Sequence, residues 1–192
     1  RAGHAVLSSS DPNSNNFVSY LRTLYSQSRR SNAGTRGMDA MGVSTYVDTE
    51  LDRALLPAVL QGEFRLVLIS GNAGDGKTAF LQRLEKEVEV RGGSANRDFA
   101  NGSELALADK RYLINYDGSQ DEGNKDNNQV LLDFLAPFKG SNAEAWKPQE
   151  IRLIAINEGR LVDFLATNEQ DFPALTALVR RAFSTGDAES GV

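Results

Sequence analysis

Residues 66–78 read Leu-Val-Leu-Ile-Ser-Gly-Asn-Ala-Gly-Asp-Gly-Lys-Thr, an apolar run followed by the pattern G-x-x-x-x-G-K-[ST] at 71–78. The run predicts a buried strand over residues 65–70, and the residues that follow Lys77 have helical spacing. Glycines let successive backbone N–H groups converge on phosphate oxygens, and the start of a helix adds the positive end of its dipole. The stretch therefore predicts a phosphate-binding loop between a strand and a helix.

Each part of this loop has an expected role in holding a nucleotide. Lys77 would reach the β- and γ-phosphates, and the Thr78 hydroxyl would bind Mg²⁺. Asp75 is expected to face solvent, because a carboxylate turned toward the phosphates would oppose binding. The predicted nucleotide-binding residues are Gly71, Asn72, Ala73, Gly74, Asp75, Gly76, Lys77, Thr78 and Ala79.

Strands and helices alternate along the rest of the chain. Further strands are predicted at residues 112–116 and 151–156, and apolar helical faces at 51–60, 80–88, 130–138, 159–165 and 173–183. No strand is predicted within 91–110, which lacks a β-branched run. The alternation predicts an α/β fold, a three-layer P-loop NTPase core of the AAA+ or STAND type with a parallel sheet. Such a core normally has about five strands, so we expect the chain to be incomplete.

Two regions are expected. Residues 1–44 form an N-terminal extension with a short amphipathic helix at 17–25 and a linker, and residues 45–192 form the NTPase domain, truncated at its C-terminal side. The chain begins with Arg1 instead of Met, which also favours a fragment.

The composition is that of a globular protein, with 40% hydrophobic and 24% charged residues among 192. Cysteine is absent, no apolar run is long enough to span a membrane, and the N-terminal residues lack the core of a signal peptide. We therefore expect a cytoplasmic protein with no membrane association. A net charge of −5 argues against a surface that grips nucleic acid throughout. The acid-free segment 17–37 carries Arg22, Arg29, Arg30 and Arg36, which we interpret as a solvated connector, with a DNA or partner contact as the alternative.

A P-loop ATPase also needs acidic groups at the end of another buried strand, and two positions qualify. Asn157-Glu158 follows the strand at 151–156, where Glu158 could polarise the attacking water and Asn157 could accept from a water on Mg²⁺. Asp117 follows the strand at 112–116 and could be the carboxylate near Mg²⁺ instead, with Asn157 as the polar residue with which many AAA+ proteins sense the γ-phosphate. That alternative requires a strand within 91–110, so we favour Asn157-Glu158, with Asp117 contributing at the same edge. Asp117-Gly118 could also be a simple turn.

Other nucleotide-dependent classes fit less well. A guanine site requires N-K-x-D, whereas residues 124–127 read Asn-Lys-Asp-Asn, and the D-x-x-G pattern fails after Asp117. ATP is therefore the expected nucleotide. Arg160, Arg180 and Arg181 are candidates for residues that act on the nucleotide of a neighbouring copy in a homo-oligomer, although a surface role is favoured for each.

Two blocks together resemble a known family. Residues 69–81, Ile-Ser-Gly-Asn-Ala-Gly-Asp-Gly-Lys-Thr-Ala-Phe-Leu, and residues 154–161, Ile-Ala-Ile-Asn-Glu-Gly-Arg-Leu, resemble the ATPase of bacterial DNA-phosphorothioation-dependent restriction systems, the DptF family. The resemblance covers roughly residues 45–185. It implies an ATPase subunit of an anti-phage defence complex, with other subunits as partners and DNA reached through the complex. The P-loop role falls on residues 71–78, and the acidic-strand role falls on Asn157 and Glu158.

Three functions remain open from the residues. The first is an ATP-hydrolysing motor or switch in such a complex, with Lys77 and Glu158 as catalytic residues and Thr78, Asn157 and Asp117 near Mg²⁺. The second is a nucleotide-binding module without hydrolysis, which the Asn at position 157 favours. The third is a DNA translocase.

Overall fold

The computed structural model describes residues 50–70 and 76–187. Its helices are α1 (Glu50–Gln61), α2 (Lys77–Val90), α3 (Asn127–Leu135), α4 (Glu158–Thr167) and α5 (Pro173–Asp187). Its strands are β1 (Leu66–Ser70), β2 (Ser94–Phe99), β3 (Gly102–Leu107), β4 (Lys110–Asn115) and β5 (Ile151–Ile156). The predicted helix at 17–25, the linker after it and loop residues 71–75 lie outside the described residues. Within those residues, no helix is both long and apolar enough to cross a membrane.

The five strands form one mixed sheet in the order β1-β5-β4-β3-β2. β5 lies between β1 and β4 and is parallel to both, with Ser70 opposite Ile156 and Asn115 opposite Ile154. β3 is antiparallel to both β4 and β2. The predicted α/β class is therefore confirmed, whereas the predicted wholly parallel sheet is wrong for β2 and β3.

The two antiparallel strands occupy the segment 91–110, where the sequence predicted none. β2 is largely exposed at the edge of the sheet, and neither strand contains the β-branched run that favours a buried strand. β3 and β4 are joined by a two-residue turn in which Ala108 has a φ of 53°. Gly102 is required by a close approach, since a Cβ there would lie 2.1 Å from the carbonyl oxygen of Ile114. Pairing of β3 with β4 and of β2 with β3, and not local sequence preference, makes these residues strands.

Helices cover both faces of the sheet and bury two hydrophobic cores. α1 and α2 pack on the first face, where the buried residues include Val59, Phe80, Leu81, Leu84, Val88, Val67, Ile69, Leu153 and Ala155. α3, α4 and α5 pack on the second face, with Leu131, Leu161, Phe164, Leu175, Val179, Leu66, Leu68, Ile154 and Ile156. β1 is buried along its whole length because successive side chains enter opposite cores. The result is a three-layer α/β domain.

Candidate functional site

The carboxyl ends of the three parallel strands lie at one edge of the sheet and carry the polar residues singled out from the sequence. Ser70, the last residue of β1, is opposite Ile156, the last residue of β5. Asn157 and Glu158 therefore begin beside the point where the glycine-rich loop leaves β1. Asp117 follows β4, on the far side of β5. The tertiary structure thus brings these separate segments to one edge.

The connections that leave this edge diverge between β1 and β5. β1 leads through the loop to α2 on the first face, while the adjacent β5 leads directly to α4 on the second face. Neighbouring strands whose helices depart to opposite faces leave a crevice outside their carboxyl ends, which is where open α/β sheets bind ligands. Ser70, at the end of β1, and Asn157-Glu158, after β5, flank this crevice.

The described end of the loop has the features of an anion-binding helix start. Gly76 precedes α2 with a φ of 79°, a left-handed conformation that glycine adopts without strain. In the described part of this region, no side chain caps α2 and its first turn holds no acid. Lys77 is half-buried and Thr78 is exposed at the start of the helix. Phe80 and Leu81 are buried one turn further on and anchor it to the sheet.

Gly71, Asn72, Ala73, Gly74 and Asp75 lie outside the described residues, so their contacts and the outward direction of Asp75 stay predictions. Ser70 lies immediately before them and is 1% exposed. Its hydroxyl has no hydrogen-bond partner among the residues that the structure describes. No sequence pattern singled out this buried hydroxyl at the end of β1.

Asn157 has a structural role at the start of α4. It is the N-cap residue, and its side-chain oxygen accepts a hydrogen bond from the backbone N–H of Arg160 at 3.4 Å. Glu158 is the first residue of the helix and is half-buried. Ser, Thr, Asp and Asn all serve this capping role, so the cap itself does not require an amide at position 157.

Asp117 lies in a tight turn. Its carboxylate accepts hydrogen bonds from the backbone N–H of Ser119 at 2.9 Å and from Gln120 Nε2 at 3.1 Å. Its carbonyl accepts from Asn101 Nδ2 at 2.8 Å. These contacts support the turn interpretation, and they also hold the carboxylate at the edge where the parallel strands end.

The prediction that residues 91–110 contain no strand is wrong, because β2 and β3 lie there, so this segment no longer argues against Asp117. Distance still separates the two acidic positions. With adjacent strands about 4.8 Å apart, Glu158 follows the strand next to β1, while Asp117 follows a strand about 10 Å from β1. The residue after Asp117 is Gly118, which carries no carboxylate. Each strand end therefore supplies a single carboxylate, Asp117 after β4 and Glu158 after β5.

A buried carboxylate that the sequence reading missed connects α2 to the hairpin and to β4. Glu85 of α2 is 3% exposed and accepts hydrogen bonds from Ser103 Oγ at 2.6 Å, from Arg97 Nε at 2.8 Å and from the Tyr116 hydroxyl. Burial, and after it the hydrogen bond to Glu85, raises the pKa of Tyr116 to about 12. Tyr116 directly precedes Asp117, so this network fixes the end of β4 against the helix that begins at Lys77. Helical periodicity placed position 85 near the buried face, but only the fold supplies its partners.

The arginines considered for action on a neighbouring copy have different surroundings. Arg180 forms two hydrogen bonds with the Glu169 carboxylate, at 2.7 and 2.9 Å, on the exposed side of α5. Arg181 is exposed on the same helix. Arg160 is half-buried and contacts two asparagines at the start of α3. Arg160 is thus the one of the three that lies at the carboxyl edge of the sheet.

The oxygen donors at this edge suit magnesium in chemical type. Thr78, Asp117, Asn157 and Glu158 offer hydroxyl, amide and carboxylate oxygens, which are the hard ligands that Mg²⁺ prefers. In residues 50–70 and 76–187, no three His, Cys, Asp or Glu side chains converge on a metal position. Mg²⁺ in nucleotide sites keeps several waters and binds one or two protein groups together with phosphates, so the donors fit an ion that arrives with a nucleotide.

A cleft of about 260 Å³ lies on the second face, between β4 and α3. Its charged lining residues are balanced: Lys125 pairs with Asp133, and Arg152 pairs with Glu150 at 3.3 Å. Neutralised cations of this kind do not favour a polyphosphate. The cleft is therefore a weaker candidate for a phosphate site than the carboxyl ends of β1 and β5.

Comparison with protein families, curated proteins and solved structures finds no significant match to this chain.

Proposed function

We propose that the chain is the ATP-binding and ATP-hydrolysing part of a bacterial DNA restriction or phage-defence complex, where it acts as a motor or switch. The observation that supports this most is the position of the motif. In the chain, residues 71–78 connect β1 to α2, and β1 ends beside the strand that leads into Asn157-Glu158. The defence assignment rests on the resemblance of the two sequence blocks to the DptF family.

The residues at this crevice divide the work between binding and hydrolysis. Lys77 supplies positive charge to the β- and γ-phosphates, and the uncapped start of α2 offers backbone N–H groups to the same oxygens. Glu158 accepts a hydrogen bond from the attacking water and orients it toward the γ-phosphate. Mg²⁺, when bound with ATP, neutralises charge on the phosphate oxygens. Thr78 and Asp117 are the groups that would hold it, and Asn157 would contact its water shell.

Three variants test this proposal in the full-length protein with its partner subunits and DNA. Lys77→Ala is expected to abolish both ATP binding and turnover. Glu158→Gln is expected to retain binding of Mg²⁺ and ATP while turnover falls by about 10²-fold or more, the usual contribution of a general base. Arg180→Ala is the control, because this arginine lies on α5 in an exposed ion pair. Unchanged turnover in both site variants would refute the proposal.

A further pair of variants separates the capping and turn roles from any role near Mg²⁺. Asp117→Asn keeps a side-chain oxygen for the Ser119 N–H but removes the negative charge. Asn157→Asp keeps the helix cap and adds a charge. If Asp117 serves the metal, Asp117→Asn should raise the Mg²⁺ concentration needed for half-maximal turnover without lowering the melting temperature. Unchanged Mg²⁺ dependence assigns Asp117 to the turn alone.

A nucleotide-binding module without hydrolysis is the second candidate function. It is favoured by the local use of both polar groups, since the Asn157 oxygen caps α4 and the Asp117 carboxylate closes its own turn. Tight ATP binding by the wild type, with no turnover in any combination of DNA and partners, would support this alternative. Turnover that Glu158→Gln abolishes would eliminate it.

A further inference from the structure

Arg160 connects the two segments that carry the candidate acidic residues. It lies two positions after Glu158, in the first turn of α4. Its Nε donates a hydrogen bond to Asn127 Oδ1, and one of its terminal nitrogens donates to Asn128 Oδ1 at 2.6 Å. The guanidinium also lies 5.9 Å from the centre of the Phe164 ring. The planar fork of this arginine is therefore engaged within its own chain.

Asn127 continues the connection to the residue after Asp117. Its side-chain Nδ2 donates to the carbonyl oxygen of Gly118 and, at 3.4 Å, to that of Gln120. Its backbone N–H donates to Asp121 Oδ1 at 2.7 Å. Asn127 thus closes the loop between β4 and α3, and Arg160 joins this closed loop to α4.

Gly118 lies against the end of β5. Its N–H donates to the carbonyl oxygen of Ala155 at 2.7 Å, and a Cβ at this position would lie 2.9 Å from Ile154 Cδ1 and 3.0 Å from Ile156 Cδ1. The paired register of β4 and β5 ends at Asn115 and Ile154. Beyond that point, the Gly118 contact and the Arg160–Asn127 hydrogen bond span the gap between the two strand ends.

We propose that Arg160 is a positioning residue that, through Asn127, holds the Asp117-Gly118 segment in place relative to Asn157-Glu158. This inference rests on the proposed function, because it assigns both acidic positions to one hydrolytic site. On this proposal, Arg160 supports hydrolysis of the nucleotide bound to its own chain and not of the nucleotide bound to a neighbouring copy. Position 127, which fails as a guanine-reading residue, takes a structural role at the same edge.

The proposal predicts a defined kinetic pattern for Arg160→Ala in the full-length protein with its partners. A positioning residue does not bind ATP itself, so KM for ATP should change little. Misplacement of the acidic segment should lower kcat by about ten- to hundredfold. Asn127→Ala should have a similar effect, and the double variant should be no worse than either single variant, because both remove the same connection. Arg91→Ala is the matched control and should retain wild-type kcat, because Arg91 lies just after the end of α2 in an exposed ion pair with Glu87.

Hydrogen exchange provides a readout that does not depend on turnover. Amide exchange in residues 118–128 should be faster in Arg160→Ala than in wild type, while exchange in β1 stays the same. Arg160→Lys keeps the charge but loses the planar fork, and it should show an intermediate exchange rate. This variant replaces Arg160→Ala in the measurement if the alanine variant folds poorly. Unchanged exchange in this loop would overturn the proposal.

Mixing two variants with impaired turnover separates this role from action on a neighbour. Arg160→Ala retains Glu158, and Glu158→Gln retains Arg160. If Arg160 acted on a neighbouring copy, mixed assemblies would regain turnover, which would overturn the proposal. We expect no recovery. If the wild type never hydrolyses ATP, the proposed function is refuted, even where Arg160→Ala changes exchange in the loop. If Arg160→Ala has normal turnover, only the positioning role is refuted.

Discussion

The sheet has a parallel half, β1, β5 and β4, and an antiparallel half, the hairpin of β2 and β3, and the two halves differ in how they are stabilised. Parallel strands are buried between two helical layers, and polar residues follow their carboxyl ends. The hairpin is exposed along β2 and is joined to α2 through hydrogen bonds to Glu85. It also reaches the site, because Asn101 holds the carbonyl of Asp117. The parallel half therefore supplies the candidate site residues, while the hairpin supports one of them.

The largest difference in stability is expected between the central strand and the hairpin. Leu153→Ala in β5 removes a side chain that is 0% exposed, in a strand with helices on both faces, and should cost about 3–5 kcal/mol. Leu105→Ala in β3 should cost about 2–3 kcal/mol, because β3 and the exposed outer strand β2 can shift into the space that the side chain leaves. Urea denaturation measures both free energies of unfolding. An equal or larger loss at Leu105 would contradict the comparison.

The next effect concerns the contact between the halves. Glu85→Gln leaves Arg97 and Ser103 without their charged acceptor and should cost about 1.5–3 kcal/mol. Glu89→Gln is the matched control on the same helix, because Glu89 also pairs with Arg97 but is 43% exposed. Its substitution should cost much less, because an exposed ion pair contributes little to stability. Equal costs would mean that burial of Glu85 adds nothing to the contact.

The pH dependence of the free energy of unfolding tests the same contact through the ionisation of Tyr116. Burial and the hydrogen bond to Glu85 raise its pKa from 10.0 to about 12 in the folded protein. The unfolded chain therefore loses this proton first, so the contribution of Tyr116 is fully present below pH 10.0 and is lost as the pH rises toward about 12. Tyr116→Phe should flatten this part of the stability profile.

Ultraviolet titration of tyrosine follows the same ionisation directly. Glu85→Gln should lower the pKa of Tyr116, because the neighbouring negative charge is gone. Tyr112 serves as the internal control. Burial raises its pKa as well, but its hydroxyl donates to the carbonyl oxygens of Val59 and Leu60 at the other end of β4. A shift of both tyrosines in Glu85→Gln would indicate a general loosening of the fold.

The smallest effect is expected at the surface of α5. Arg180→Ala removes an exposed ion pair with Glu169 and should change the free energy of unfolding by less than about 1 kcal/mol. A calorimetric melting temperature close to that of wild type confirms this variant as the control in the activity tests. A large loss would show that α5 contributes more to the domain than its exposed face indicates.

Periodicity predicted most of the parallel half. β1 and β5 are nearly continuous apolar runs because both of their faces are buried, and the i, i+3, i+4 spacing of Phe80, Leu81, Leu84 and Val88 marks the buried side of α2. The hairpin was not predicted because only one of its faces contacts a core. Short polar strands with alternating small residues are enough to form such a hairpin, and they lack a strong apolar pattern. Weak alternation at Ser103, Leu105 and Leu107 was the available signal.

The amino-acid sequence by itself determined that the pattern G-x-x-x-x-G-K-[ST] lies between a strand and a helix, since strand, loop and helix depend on residue types at short spacing. The tertiary structure decided which distant residues meet that pattern. Strand order placed Asn157-Glu158 next to β1 and Asp117 one strand beyond, and it gave Arg160, Asn127 and Glu85 their partners. Pairing between strands far apart in the chain depends on the burial of both sheet faces together, which no local stretch encodes.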